Sequence, residues 1–307
     1  MDYVYVSESL TFSKVIAGFM HIAERVIPPD ELLYFVESCI DMGITTMDHA
    51  DIYGEYDGSN YARRSDKLFG DAVLRQKPSL RDKMSIVTKC GVVWPSKEKK
   101  TVRQYNLSKS HIKQSVEVSL RNLSTDYVDL LLLHRPDFLA DPEETAQIVE
   151  SLVNEGKVKN LGVSNFAPHQ IEMMQSYLKI PIITNQIRAS VNVPGFLFDG
   201  SVEMAQSRRM PIMAWGPLGG KKGSFFKDES EGGLKLKETL GRIAEKYGVA
   251  EIEEIMYAWL YKHPAKICVV TGTTRIERVK TAVRALKVEL SRDDWYELLE
   301  VSTGSPC

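Results

Sequence analysis

Short apolar runs alternate with amphipathic stretches along nearly the whole chain. Strand-like runs begin at Lys14 (KVIAG), Thr45 (TTMDH), Met84 (MSIVTK), Tyr127 (YVDLLLLH), Val158 (VKNLGVS), Pro181 (PIITNQ), Pro211 (PIMAWG) and Lys266 (KICVVTG). Several are solidly apolar rather than alternating, the pattern of parallel strands covered on both faces. The intervening helices have legible ends. Asp141 offers an N-cap, Pro142 suits the first helical position, and Glu144 puts an acid at the third. Ile148, Val149, Leu152 and Val153 then form an apolar stripe, and Gly156 a stop. Ile112, Val116, Leu120 and Leu123 repeat the stripe one unit earlier, and Ser291 with Asp294 opens a last helix bearing Trp295, Leu298 and Leu299.

About eight strand–helix units over roughly 290 residues predict an α/β fold, a single (β/α)8 TIM barrel over residues 1–307. A short N-terminal β-hairpin (YVYV, then LTFS) precedes it and a C-terminal helix closes the chain. An open doubly wound sheet shows the same alternation. It requires a glycine-rich turn after the first strand, and VIAGFM from Val15 does not supply one. No linker, low-complexity tract or longer repeat interrupts the pattern. Two long polar segments, 94–106 and 218–233, follow predicted strands and so belong to the catalytic rim of such a barrel.

Hydrophobic residues make up 43% of the 307 and charged residues 26%, enough to bury a large core. The formal net charge of -2 provides no broad basic field for nucleic acid or an anionic membrane. Cys39, Cys90, Cys268 and Cys307 lie far apart, with neither CxxC nor zinc-ligand spacing, so reduced thiols and no metal are expected. The opening MDYVYVSESL lacks the basic start and apolar centre of a leader, and no run reaches the roughly 18 apolar residues of a membrane span. The expectation is a cytoplasmic protein, monomeric or a small homo-oligomer, whose partner is a small molecule.

Polar residues at successive strand ends suggest the chemistry. Asp48 and Tyr53 follow the second predicted strand, Lys89 the third and His134 the fourth. In a barrel these ends share one face. An ammonium beside a phenol favours the phenolate and lowers the phenol's pKa; a carboxylate holds that ammonium in place; a histidine donates to a carbonyl oxygen.

The segment MDHADIYG from Met47 resembles the D-x-A-x-x-Y-G signature of the aldo-keto reductase superfamily. VTKCG, LLLHRPD and GVSNF resemble the segments bearing that family's lysine, histidine and part of its cofactor site. The order and spacing match along nearly the whole chain. DHADIYG, LLLHRPD and MAWGPLGG together are most similar to its bacterial oxidoreductase branch. The resemblance implies NADPH-dependent reduction of aldehydes or ketones. Tyr53 would then be the general acid, Lys89 would lower its pKa, Asp48 would pair with Lys89, and His134 would orient the carbonyl. His49 reads instead as a structural neighbour.

The cofactor side follows the same order. Ser164, Asn165 and Gln186 end the fifth and sixth strands and offer neutral donors and acceptors to a nicotinamide amide. Trp215 ends the seventh with a flat face for the ring, where relatives more often carry tyrosine. Gly216, Pro217 and Leu218 begin a loop over the pyrophosphate, followed by Lys221 and Lys222. Gly272, Thr273 and Thr274 form a phosphate seat before a helix, and Arg278 matches the family arginine that clasps the 2′-phosphate of NADPH. Gly272 stands where many relatives have lysine and Ala282 where many have asparagine, so NADH is possible but less favoured. Phe19, Met20 and Trp94 are candidates to line the substrate pocket. The alternative reading is a nicotinamide-binding regulatory subunit similar to potassium-channel β-subunits. The short start of the chain weighs against it.

Overall fold

The computed structural model describes residues 1–54, 64–95, 102–219 and 225–305; Gly220, Lys221, Lys222 and Cys307, named above, lie outside them. The strands, in chain order, are β1 (Tyr3–Ser7), β2 (Leu10–Ser13), β3 (Val15–Gly18), β4 (Thr46–Asp48), β5 (Ser85–Cys90), β6 (Val92–Val93), β7 (Gln104–Tyr105), β8 (Leu130–Leu133), β9 (Leu161–Ser164), β10 (Ile182–Arg188), β11 (Ile212–Trp215) and β12 (Cys268–Thr271). The helices are α1 (Pro29–Asp41), α2 (Arg64–Phe69), α3 (Lys109–Leu123), α4 (Pro142–Asn154), α5 (Pro168–Tyr177), α6 (Ser201–Ser207), α7 (Glu231–Lys246), α8 (Ile252–Lys262), α9 (Ile276–Arg284) and α10 (Arg292–Thr303).

Eight strands close a parallel barrel in the order β3, β4, β5, β8, β9, β10, β11, β12, with β12 returning to β3. Each corresponds to one of the eight apolar runs. Capping follows the chemistry of the helix starts: Asp141 accepts from the amides of Glu143 and Glu144, and Ser291 accepts from that of Asp294.

Strand periodicity sorts the side chains into two layers. Ile16, Val87, Leu130, Leu132, Met213, Cys268 and Val270 pack together inside the barrel. Val15, Ala17, Met47, Ile86, Leu131, Leu133, Val163 and Val269 face outward into the larger cluster shared with the helices. Gly162 has the inward parity on β9, where an added Cβ would lie 2.6 Å from Leu132 Cδ2. The lack of a side chain there lets the strands approach.

The N-terminal hairpin, β1 antiparallel to β2, stops the opposite end of the barrel. Val4, Leu10 and Phe12 join the interior cluster, and Phe12 is wholly buried. Burying such a side chain stabilises the fold by about 2 kcal/mol. With that end plugged, polar chemistry is left to the other.

Candidate active site

The inward parity that fills the barrel with aliphatic residues turns polar at the last position of successive strands. Asp48 ends β4, Lys89 lies near the end of β5, His134 follows β8, Ser164 ends β9, Gln186 lies near the end of β10 and Trp215 ends β11. The register sets them around one ring: Asp48 pairs with Val87, Lys89 with Leu132, and Gln186 with both Ser164 and Met213. Tyr53 enters from the loop after β4, fixed by its own amide donating to Ala50 O and by Ser65 N donating to its carbonyl.

Lys89 is the centre of the arrangement. Its Nζ donates to both carboxylate oxygens of Asp48 at 2.8 Å, to the carbonyl of His49 at 2.7 Å and to the hydroxyl of Tyr53 at 3.0 Å. Lys89 has no exposed surface. Burial works against its charge, but Asp48 and Tyr53 together hold its pKa above the usual lysine value. These partners favour the charged ammonium beside the phenol. Tyr53 nonetheless departs from the lowered pKa expected above. Burial dominates and pushes its phenol up to about 12, while Lys89 pulls the other way.

The Tyr53 and His134 rings meet edge to face with centroids 6.4 Å apart. Burial first, then the positive charges of Lys89, Arg135 and Arg103, hold the His134 imidazole well below its usual pKa. It is neutral at physiological pH and one ring nitrogen can donate. Its Nδ1 is buried without a partner among the described residues. His49 is wholly buried between aromatic rings. It stacks flat on Phe19, with centroids 4.7 Å apart, and meets Phe69 edge-on.

A second chain of bonds runs along the other half of the ring. Trp215 Nε1 donates to Asn165 Oδ1 at 2.9 Å, Asn165 Nδ2 to Ser164 Oγ at 2.7 Å, and Ser164 Oγ to the carbonyl of Gln186 at 2.9 Å. Asn165 takes a left-handed backbone conformation (φ 60°), which asparagine tolerates better than most residues. Gln186 Nε2 donates to Asp48 Oδ1 at 2.7 Å and so ties this chain to Lys89 and Tyr53. Beside Trp215, Gly216 has φ 66° and its carbonyl accepts from Gly219 N. Pro217 is buried and Leu218 half-buried.

After β12, Gly272, Thr273 and Thr274 form a turn into α9, in which Thr273 Oγ1 accepts from Arg275 N. Sequence reasoning missed Arg25, from the loop after β3. Its guanidinium donates to Gly272 O at 3.1 Å and to Thr274 Oγ1 at 3.2 Å. Burial, then repulsion from Arg278 and Arg275, lowers its pKa. The turn thus carries a cluster of like charges that an anion would relieve. A cavity of about 450 Å³ adjoins it, lined by Glu31, Tyr34, Phe35 and residues 274–278. Nothing in the sequence around Arg25 marks it, because its partners are 247 and 249 positions away.

The three proposed substrate-lining residues separate. Met20 and Trp94 are partly exposed, at 43% and 37%. Phe19 is wholly buried and packs edge-on to Phe35 and Phe69. It has the outward parity of Val15 and Ala17, so it belongs to the strand–helix layer and does not line the mouth. Ala282 is likewise fully buried. Cys39 and Cys268 are buried thiols, each pushed up to about 12, chiefly by burial. Among the described residues no group of acids, histidines and cysteines is placed to hold a metal, and no helix is long and apolar enough to cross a membrane.

A parallel eight-stranded barrel with a lysine–carboxylate–phenol cluster at the strand ends defines a class of oxidoreductase. The chain belongs to the aldo/keto reductase family, whose pattern matches residues 14–303. It is 43% identical to the uncharacterized oxidoreductase YcsN of Bacillus subtilis strain 168, over 99% of each chain. It is 40% identical to a 6-dehydroglucose reductase of Agrobacterium fabrum, again over 99% of each. Among solved structures it resembles an aldo/keto reductase of Klebsiella pneumoniae in complex with NADP and acetate. That match has a TM-score of 0.76 and 25% identity, and covers 99% of this chain and 96% of the other.

Proposed function

We propose that the protein is an NADPH-dependent carbonyl reductase and that Tyr53 is its proton donor. The observation that carries this reading is the 3.0 Å contact between the Lys89 ammonium and the Tyr53 hydroxyl, inside a pair that Asp48 holds charged.

The residues present fit a dinucleotide with an extra phosphate. Arg25, Arg275 and Arg278 crowd one turn with mutually repelling charges, and Thr273 and Thr274 add hydroxyls. Trp215 offers a flat ring on the neighbouring strand β11, with the groups of Ser164, Asn165 and Gln186 nearby. Gly216, Pro217, Leu218 and Gly272 would line the stretch between. NADP is present in the Klebsiella relative, which supports the same choice here, with NADH less favoured. When bound, the nicotinamide supplies the hydride that reduces the carbonyl carbon.

The chain's own residues do the rest. Neutral His134 orients the carbonyl oxygen by donating a hydrogen bond to it. As negative charge develops on that oxygen, Tyr53 passes its proton to it. Lys89 makes this transfer easier by stabilising the phenolate left behind. Asp48, bonded to Lys89 and to Gln186, keeps the ammonium aimed at Tyr53 rather than at solvent. Relatives named 6-dehydroglucose reductase make sugar-derived carbonyl compounds a reasonable first substrate class.

The test is NADPH consumption with a panel of aldehydes and ketones, sugar aldehydes included, for the parent chain and for Tyr53→Phe. Turnover by the parent that disappears in the variant is expected. Turnover equal in both would remove Tyr53 from the role, and none in either would remove the activity.

A further inference from the structure

Beyond Asp48, Tyr53, Lys89 and His134, three arginines lie on the segments that end or follow β6, β8 and β10. Arg188 is the next inward-facing position after Gln186 on β10, and its register partner is Trp215. Its guanidinium carbon lies 5.8 Å from the centre of the Trp215 ring. Arg135 directly follows His134 and is half-buried. Arg103 sits on the β6–β7 hairpin, which rises from the end of β5 just past Lys89. Its guanidinium carbon lies 4.8 Å from the Trp94 ring and 6.0 Å from that of Tyr105. Arg103 and Arg135 stand close enough to repel each other and to disfavour a proton on His134.

None of these three arginines forms an ion pair among the described residues. Elsewhere the chain pairs many of its arginines: Arg75 with Asp71, Arg81 with Asp129, Arg242 with Glu297 and Arg284 with Glu254. The carboxylate nearest Arg135 in sequence, Asp137, accepts instead from the backbone amides of Leu107 and Leu139. Flanking aromatic rings hold Arg103 and Arg188 by their faces. The donor edges of a guanidinium so held stay open to a planar or tetrahedral oxyanion.

We propose that Arg103, Arg135 and Arg188 form a seat for an anionic group on the substrate, a carboxylate or a phosphate, while its carbonyl reaches Tyr53. This rests on the reductase reading above. The seat selects among carbonyl compounds by charge, and it draws anionic ones to the mouth more strongly at low salt.

The experiment uses matched substrates with NADPH: para-carboxybenzaldehyde against its methyl ester, and glyceraldehyde phosphate against glyceraldehyde. We expect the anionic member of at least one pair to show a kcat/KM higher by about tenfold, as one or two unscreened contacts would give. The difference should reside in KM and shrink as potassium chloride is added. The carboxylate and phosphate pairs tell which anion the seat prefers. Arg103→Gln should lower the preference severalfold, whereas Arg103→Lys, which keeps the charge, should retain most of it. Equal kcat/KM within both pairs, or a preference untouched by Arg103→Gln and by Arg188→Gln alike, overturns the seat and leaves the reductase reading standing. No turnover of any member would overturn both.

Discussion

Gln186 donates through Nε2 to the Oδ1 of Asp48 over 2.7 Å, although the two lie 138 positions apart. The contact closes a path of hydrogen bonds from the Trp215 indole to the Tyr53 hydroxyl. It passes through Asn165, Ser164, Gln186, Asp48 and Lys89. The groups assigned to the nicotinamide and those assigned to the proton are therefore one network. Each member is buried or half-buried, so a donor or acceptor lost from it goes unreplaced by water.

The plainest consequence concerns the phenol. Tyr53→Phe removes one oxygen from a buried site and leaves the Lys89–Asp48 pair intact. Carbonyl reduction should fall by about two to four orders of magnitude, the usual worth of a positioned general acid. NADPH binding, followed by its fluorescence, should stay near the parent value. A variant that keeps its turnover would show that the proton comes from elsewhere.

Acid stability should depend on His134. Its imidazole is held well below 6.5 in the folded protein, whereas the unfolded chain takes up a proton near 6.5. The unfolded state therefore binds more protons as pH falls, and stability that is intact above 6.5 drains away below it. Tyr53 behaves in the opposite sense. With its pKa pushed up to about 12, the protonated phenol is favoured in the fold below the usual 10, and that contribution is lost as pH rises from there. Urea unfolding of the parent and of His134→Gln at neutral pH and at about pH 5 checks the first claim. The parent should lose more stability than the variant; equal losses would dissociate His134 from the effect.

Much of this was legible in the chain before any coordinates. The eight apolar runs mark the eight barrel strands, because parallel strands buried on both faces have to be apolar. The ends of those runs placed Asp48, Lys89, His134, Ser164, Gln186 and Trp215 on one rim. Position along the chain was a weaker guide than parity. Phe19 reads as a rim residue by position, yet it shares the outward face of Val15 and Ala17. The net direction of the Tyr53 pKa was also illegible, since it depends on how completely the phenol is buried. Arg25 gave no local signal, whereas Arg188 did. Arg188 could have been found by counting two positions on from Gln186. Arg25 could not, because only the closed barrel brings the loop after β3 beside the turn after β12.

Removing one partner of the buried ion pair should be costly in itself. Asp48→Asn leaves the Lys89 charge, wholly buried, with only neutral partners and backbone, a loss of about 3–5 kcal/mol by analogy with other broken buried pairs. Lys89→Met should cost a similar amount through the stranded carboxylate. The double variant removes both charges and should be more stable than the sum of the two losses implies. Denaturant unfolding of the four proteins completes the cycle. Strict additivity would mean that the pair contributes nothing to the fold.

The phosphate turn offers the sharpest discrimination between cofactors. Arg278 and Arg25 both place cationic groups around residues 272–274, and Arg25 also fastens the loop after β3 to that turn through Gly272 O and Thr274 Oγ1. If the 2′-phosphate rests among them, Arg278→Ala should weaken NADPH by about tenfold or more, as loss of a charge-assisted contact does, and leave NADH nearly unchanged. Arg25→Ala should weaken NADPH less, since Arg275 and Arg278 remain, but in the same selective sense. Gly272 leaves room for restitution: an added Cβ would meet only His21 Cδ2, at 3.8 Å. Gly272→Lys in the Arg25→Ala background should therefore regain part of the lost NADPH preference by returning a charge to the same turn. Dissociation constants for both cofactors, taken for the parent and these variants, decide the matter. Equal weakening of NADPH and NADH by Arg278→Ala would move the 2′-phosphate away from this turn altogether.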